Sequence, residues 1–137
     1  MKLLSRAQIV AAKDLKHEDV EVPEWGGTVR LRELTGEERD RFEAANINIV
    51  TELVDGKEKT VLKRNTENLR ARLVAMCMID GDGNRFFGDD EIADLGRKGA
   101  QALQKLFLAA QRLNGIGEPA VKEAEKNSTA APSGEST

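Results

Sequence analysis

Apolar residues along this chain fall into two periods, and each period predicts its own kind of element. Around Val20, Val22, Val29 and Leu31, apolar and polar residues alternate, which is the pattern of half-buried strands. Gly26-Gly27 lies between the two alternating segments and reads as a two-residue hairpin turn, because such turns need positive φ at their centre. Pairing about that turn sets Val22 opposite Leu31 and Glu24 opposite Val29, with Glu21 facing Arg32 as a cross-strand charge pair. Pro23 cannot donate to a ladder, so its strand is expected at an edge. Thr35 and Glu38 then form a capping box that starts a helix.

From Gly36 to Val54 the spacing reads as helical. Phe42, Ala45, Ile49 and Leu53 make an expected core face, and Ile47, Val50 and Val54 make a second stripe, wider than one buried face needs. Such a helix either packs on two sides within the domain or offers a surface to a subunit or client. Asp55-Gly56-Lys57 is a turn, and residues 57–64 carry mixed charges around Val61 and Leu62. The next helix is expected from a cap at Asn65 or Thr66 to Ile79, with Leu69, Leu73 and Met76 on one face and Val74 and Cys77 beside it. Asp80-Gly81-Asp82-Gly83-Asn84 is a strong turn, followed by a short extended piece, Arg85-Phe86-Phe87. Asp89 caps a last helix that carries Ile92, Leu95, Leu103, Leu106, Phe107, Ala110 and Leu113 and stops at Asn114-Gly115. Gly96, Gly99 and Ala100 interrupt it, and small residues there admit a second backbone, from an internal helix or another subunit. A short helix over residues 5–13, capped by Ser5, precedes the hairpin and is expected to use Ile9 and Val10 as apolar contacts.

The expected fold is therefore α+β and mainly helical: an N-terminal β-hairpin, about three helices and a disordered C-terminal tail. Residues 1–116 read as a single small domain. Residues 117–137 read as a flexible polar tail, because their Glu, Lys, Ala, Ser, Thr, Gly and Pro cannot bury enough apolar surface to offset ordering entropy. At 137 residues such a chain buries about two-thirds of its unfolded surface, enough for a core. The net charge is -3 with 33% charged residues interspersed in sign, which predicts solubility and no basic footprint for nucleic acid. Neither a signal peptide nor a membrane-spanning segment is expected. One cysteine excludes an internal disulfide and fits a reducing cytosol.

Candidate chemistry is sparse. Asp80, Asp82, Asn84 and Glu91 match the spacing of an EF-hand calcium loop, but Arg85 stands where that loop needs glycine and Phe87 where an aliphatic residue is usual. A plain acidic turn followed by a helix cap explains the same letters. His17 sits in a charged segment with no nucleophile placed near it, and Cys77 lies in an apolar run as a small hydrophobe. Glu37-Glu38 and Asp89-Asp90 fall at helix starts, where the backbone dipole accounts for them. No catalytic constellation, metal cluster or cofactor loop can be assembled, so no enzyme and no cofactor is expected. Trp25, with Arg30 and Arg32 on the same face, admits two readings: a cover over the core edge, or a contact residue with a cation stacked on the ring.

The run at residues 20–43, "VEVPEWGGTVRLRELTGEERDRFE", and the later "MIDGDGNRFFGDDEIADLG" at 78–96 resemble the tail assembly chaperones of long-tailed (siphovirus) bacteriophages and prophages. The resemblance covers roughly residues 5–115. It implies a non-catalytic factor in tail morphogenesis, working in the cytoplasm of the bacterial host and absent from the mature virion. In that family the chaperone coats the tape measure protein and recruits major tail (tube) protein. The surface expected for partners, including a possible homo-oligomer, takes in Trp25, Arg30, Ile47, Val50, Val54, Gly96, Gly99 and Ala100. Alternatives are a structural tail or connector component of the virion, and a calcium-binding regulator through residues 80–91.

Overall fold

Alternation in the N-terminal third does produce a hairpin, but around a longer loop. The computed structural model describes residues 1–117, so the expected flexible tail lies, but for its first residue, outside the described residues. Strand β1 (His17–Val22) pairs antiparallel with β2 (Gly27–Arg32), placing Val20 opposite Val29 and Val22 opposite Gly27. Pro23–Trp25 form a turn of 3-10 helix that ends on Gly26 at φ 78°. Proline's fixed φ and missing N–H suit the first turn of a helix better than a ladder, which lengthens the loop and moves the register. Glu21 consequently faces Thr28, Glu18 faces Leu31, and the cross-strand charge pair is Asp19 with Arg30. The displacement is an even number of residues, so Val20, Val22 and Leu31 still share the buried face. Strand β1 is an edge, as Pro23 implied, in a three-stranded sheet in which β2 lies between it and β5 (Met78–Ile79).

The expected helix over 36–54 divides in two. Helix α2 (Gly36–Ala45) keeps the Thr35–Glu38 capping box and buries Phe42. Ile47–Val54 is instead strand β3, paired along its whole length with β4 (Lys57–Arg64) in a sheet of their own. Ile47, Ile49, Val50, Thr51 and Val54 are β-branched and lose side-chain freedom in a helix. Asp55 and Gly56 adopt φ 54° and 76°, the double left-handed geometry of a tight hairpin turn. Ile49 and Leu53 are therefore not core residues: their relative exposures are 71% and 75%.

Helix α3 (Leu69–Cys77) forms the centre of the molecule. It starts three to four residues later than the expected caps, after Asn68 in a left-handed conformation, and gives way to strand β5 (Met78–Ile79). Ala71, Leu73, Val74, Ala75, Met76 and Cys77 are all buried, so the helix is apolar nearly all round, as a core helix must be. The expected last helix, 89–113, is broken. A 3-10 turn at Asp89–Glu91 leads into α4 (Ile92–Gly96), and α5 (Ala100–Asn114) starts after Gly99. Helix α5 closes the core over α3 with Ala102, Leu103, Leu106, Ala109 and Ala110. It is tied to β1 by Arg112 to Glu18 at 2.6 Å and by Lys105 Nζ to the Glu21 carbonyl at 2.5 Å. Helix α1 (Arg6–Ala11) has the Ser5 cap, completed as a box by Gln8, but buries nothing. Ile9 and Val10 stand 60% and 72% exposed and do not make the expected contacts. The architecture is α+β, with more strand than a mainly helical fold with three helices would have.

Candidate partner-binding surfaces

The β3–β4 arm is joined to the body at its base. The Asn65 backbone N–H donates to the Asn46 carbonyl at 2.6 Å, and the Asn65 amide donates to the Ala45 carbonyl at 3.2 Å. Beyond that point the arm has no third strand among the described residues. Strand alternation puts Ile47, Ile49, Thr51 and Leu53 on one face with Leu62, which pairs directly with Ile49. Leu62 is 68% exposed, so three large apolar side chains lie open side by side. The opposite face carries Val50 across from Val61, both half-buried, with Lys57, Lys59 and Lys63; Lys63 forms an ion pair with Glu52. A two-stranded ribbon is marginal alone in water, and an open apolar face with free edges is a ready interaction surface. Val50 and Val54, expected with Ile47 as one stripe, lie on the opposite face from it. Ile49, Leu53 and Leu62 were missed as surface residues because a period of 3.6 fits Phe42–Leu53 as well as a period of 2 fits Ile47–Leu53.

The Trp25 and Arg30 pair does not assemble as a stack. Arg30 grips Asp19 through two hydrogen bonds, 2.7 and 3.1 Å, which hold the Asp19 carboxyl below its ordinary pKa and the guanidinium above its own. Arg32 reaches Glu38 at 2.5 Å and the Glu33 carbonyl at 3.1 Å. Trp25 is half-buried and packs on the core cluster, which is the cover reading. The cation-over-ring contact among the described residues is Arg70 above Phe107, 5.7 Å from the ring centre.

The small residues divide likewise. A Cβ on Gly96 would stand 2.5 Å from Asn68 Oδ1 and 3.7 Å from the Ala71 side chain, so the close neighbour is the segment leading into α3 and α3 itself. Around Gly99 nothing lies within 4 Å, and Ala100 is exposed.

The acidic turn is held by its own backbone. Asp80 Oδ1 accepts the N–H groups of Asp82 and Asn84 at 2.9 and 3.0 Å. Arg85, at the position where a calcium loop needs glycine, donates to the Ala75 carbonyl and to Asp89, and Glu91 accepts the Gly88 N–H at 2.9 Å. Among the described residues no three His, Cys, Asp or Glu side chains gather as a metal site. Cys77 is fully buried; desolvation pushes its pKa up to about 12, against a weak donation from the Asn114 amide at 3.4 Å. Such a thiol is a core atom and not a nucleophile. His17 opens β1 on an exposed edge. No helix among the described residues is long and apolar enough to cross a membrane.

A family model described as phage tail assembly chaperone matches residues 5–128. The solved structure of the bacteriophage HK97 tail assembly chaperone shares the fold, with a TM-score of 0.50 and 24% identity, over 82% of this chain and 95% of that one. No curated protein matches the chain.

Proposed function

This chain belongs to the phage tail assembly chaperone family, and from that premise we propose that it binds the tape measure protein and helps to recruit tail tube subunits. The work is non-catalytic and takes place in the host cytoplasm, and the protein leaves before the virion matures. Supporting this reading is one observation above all, the open apolar face of Ile49, Leu53 and Leu62 on the β3–β4 arm. A protein that keeps a long apolar helical client soluble needs apolar surface that can be covered by that client, and no bond chemistry. The arm supplies this surface without opening the core, since Leu73, Met78 and Leu106 stay buried in the body.

Co-expression tests the proposal. The tape measure protein is expected to be soluble with the wild-type chain and largely insoluble without it. Ile49→Asp with Leu62→Asp should abolish the rescue while the melting temperature of the chaperone itself changes little. Equal solubility of the tape measure protein in the absence of this chain would refute the assignment. Finding the chain in purified particles would favour the virion-component reading instead.

A further inference from the structure

Helix α3 carries two charged residues, and contacts within the chain account for one of them. Arg70 donates to the Gln104 side chain at 2.5 Å and lies over the Phe107 ring. Arg72 is half-buried beside residues 73–77, all of them buried, and it forms no ion pair among the described residues. Its Nη1 is buried and has no hydrogen-bond partner. Native folds rarely leave a buried donor in that condition, because its lost hydration is then uncompensated. The guanidinium lines a cavity of about 390 Å³ between α2, α3 and the 3-10 turn at Asp89–Glu91. Met76, one turn along α3, lies on the same side as Arg72; Arg41 and Ala45, one turn apart on α2, line it too, with Asp89 and Asp90. Arg41 is exposed and likewise has no ion pair among the described residues, whereas Asp89 is held by Arg85 at 2.9 Å. With Arg85 counted, three guanidiniums stand against two carboxylates, and one positive charge is left over.

We propose that this cavity takes an acidic side chain, Asp or Glu, presented by a protein partner. The planar fork of Arg72 matches a carboxylate with two parallel hydrogen bonds, which gives Nη1 the acceptor it lacks. Arg41 adds a second cation to the same group. A carboxylate suits the site better than a phosphate, because Asp89 and Asp90 repel a dianion more strongly than a single charge. Asp90 has no ion pair among the described residues and can accept a backbone N–H of the same peptide. Ala45 and Ile92, both half-buried, offer apolar surface to the residue beside the acidic one. None of Ile49, Leu53 and Leu62 lines the cavity, so it adds recognition of charge to the apolar face of the β3–β4 arm.

Titration of the full chain with the blocked peptide acetyl-Ala-Leu-Glu-Leu-Ala-amide tests this, followed by NMR at the Arg72 side-chain N–H and at the backbone amides around Arg41 and Arg72. Binding is expected with a Kd of about 1 mM, as befits a short peptide with one charged anchor. Replacing its Glu by Gln should weaken binding about tenfold or more. Arg72→Leu should weaken it to the same extent yet leave the melting temperature unchanged or higher, because it removes a buried donor without a partner. A cation with a purely structural role would do the reverse: its loss would lower the melting temperature and leave peptide affinity intact. Arg41→Glu, at an exposed position, serves if Arg72→Leu unfolds, and should weaken binding about tenfold as well. Equal binding of the Glu and Gln peptides, shifts confined to residues outside the cavity, or inorganic phosphate binding as tightly as the peptide would each overturn the proposal. Loss of self-association in Arg72→Leu would give the cavity to a second copy and overturn it too. The tape measure assignment is judged by co-expression alone and survives any of these results.

Discussion

The Asn114 side-chain oxygen accepts the backbone N–H of Leu34 at 2.8 Å, across 80 residues of sequence. The same amide donates to the Ala110 carbonyl at 2.8 Å and to Cys77 Sγ at 3.4 Å, and the Asn114 carbonyl accepts from Arg39 at 3.1 Å. One residue at the end of α5 thus joins the exit of the hairpin, the start of α2 and the core end of α3. A partly buried backbone N–H without a partner is costly, so the bond matters beyond its own strength.

Asn114→Ala should therefore destabilise the fold by about 1–3 kcal/mol, the range for orphaning buried polar groups. A urea titration measures it. A loss within experimental error would mean that water replaces the amide and that the clamp is dispensable.

The β3–β4 arm should open more readily than the core, because a two-stranded ribbon rests on few buried apolar contacts. Amide exchange is expected to be faster over 47–64 than in α3 or α5. Gly56→Val forces a β-branched residue to φ 76°, a strain of about 1–3 kcal/mol. It should speed exchange in the arm and leave core protection unchanged. Equal slowing or speeding in both regions would show that arm and core unfold together.

Glu38 links stability to acid pH. Partial burial opposes its charge, but the Thr35 backbone N–H, the Arg32 guanidinium and the Thr35 hydroxyl outweigh that and hold its pKa below the ordinary 4.5. A carboxyl lowered in the folded state stabilises fully above its unfolded pKa and loses this as pH falls through the folded value. Glu38→Gln should thus destabilise at neutral pH and flatten the decline of stability below pH 4.5. Thr35→Ala, which removes the cap, should lose about 1 kcal/mol. An unchanged acid limb in Glu38→Gln would place the titrating group elsewhere.

Cys77 works at the other end of the scale. Its folded pKa of about 12 lies above the ordinary 9.0, so between those values the unfolded chain gives up a proton that the folded one keeps. Stability should fall as pH rises through that window, by up to about 1.4 kcal/mol per pH unit from this group. Cys77→Ala should start lower, because it leaves a cavity, and show a shallower alkaline slope. A thiol reagent at pH 8 should label the unfolded protein and spare the native one; rapid native labelling would contradict the burial.

The contacts legible in the sequence span a few residues. The Thr35–Glu38 box and the Ser5 cap were expected and are present, and the self-bonded turn at Asp80 needs only residues within four positions of it. The alternation of Val20, Val22 and Leu31 likewise identifies a buried face whatever the register. What tertiary structure decided depends on partners far along the chain. Ile47–Val54 fits both a helical and a strand period, and it becomes a strand because Lys57–Arg64 is there to pair with it across a left-handed Asp55-Gly56 turn. Gly26-Gly27 reads as a two-residue turn, but Pro23 starts a 3-10 turn that lengthens the loop, and the resulting register gives Arg30 to Asp19. Gly96 reads as a weak point in a long helix until Asn68 occupies the space a side chain would need. Side-chain periodicity records which positions prefer burial, but only the packed chain determines which of them find a cover, and Ile49, Leu53 and Leu62 remain without one.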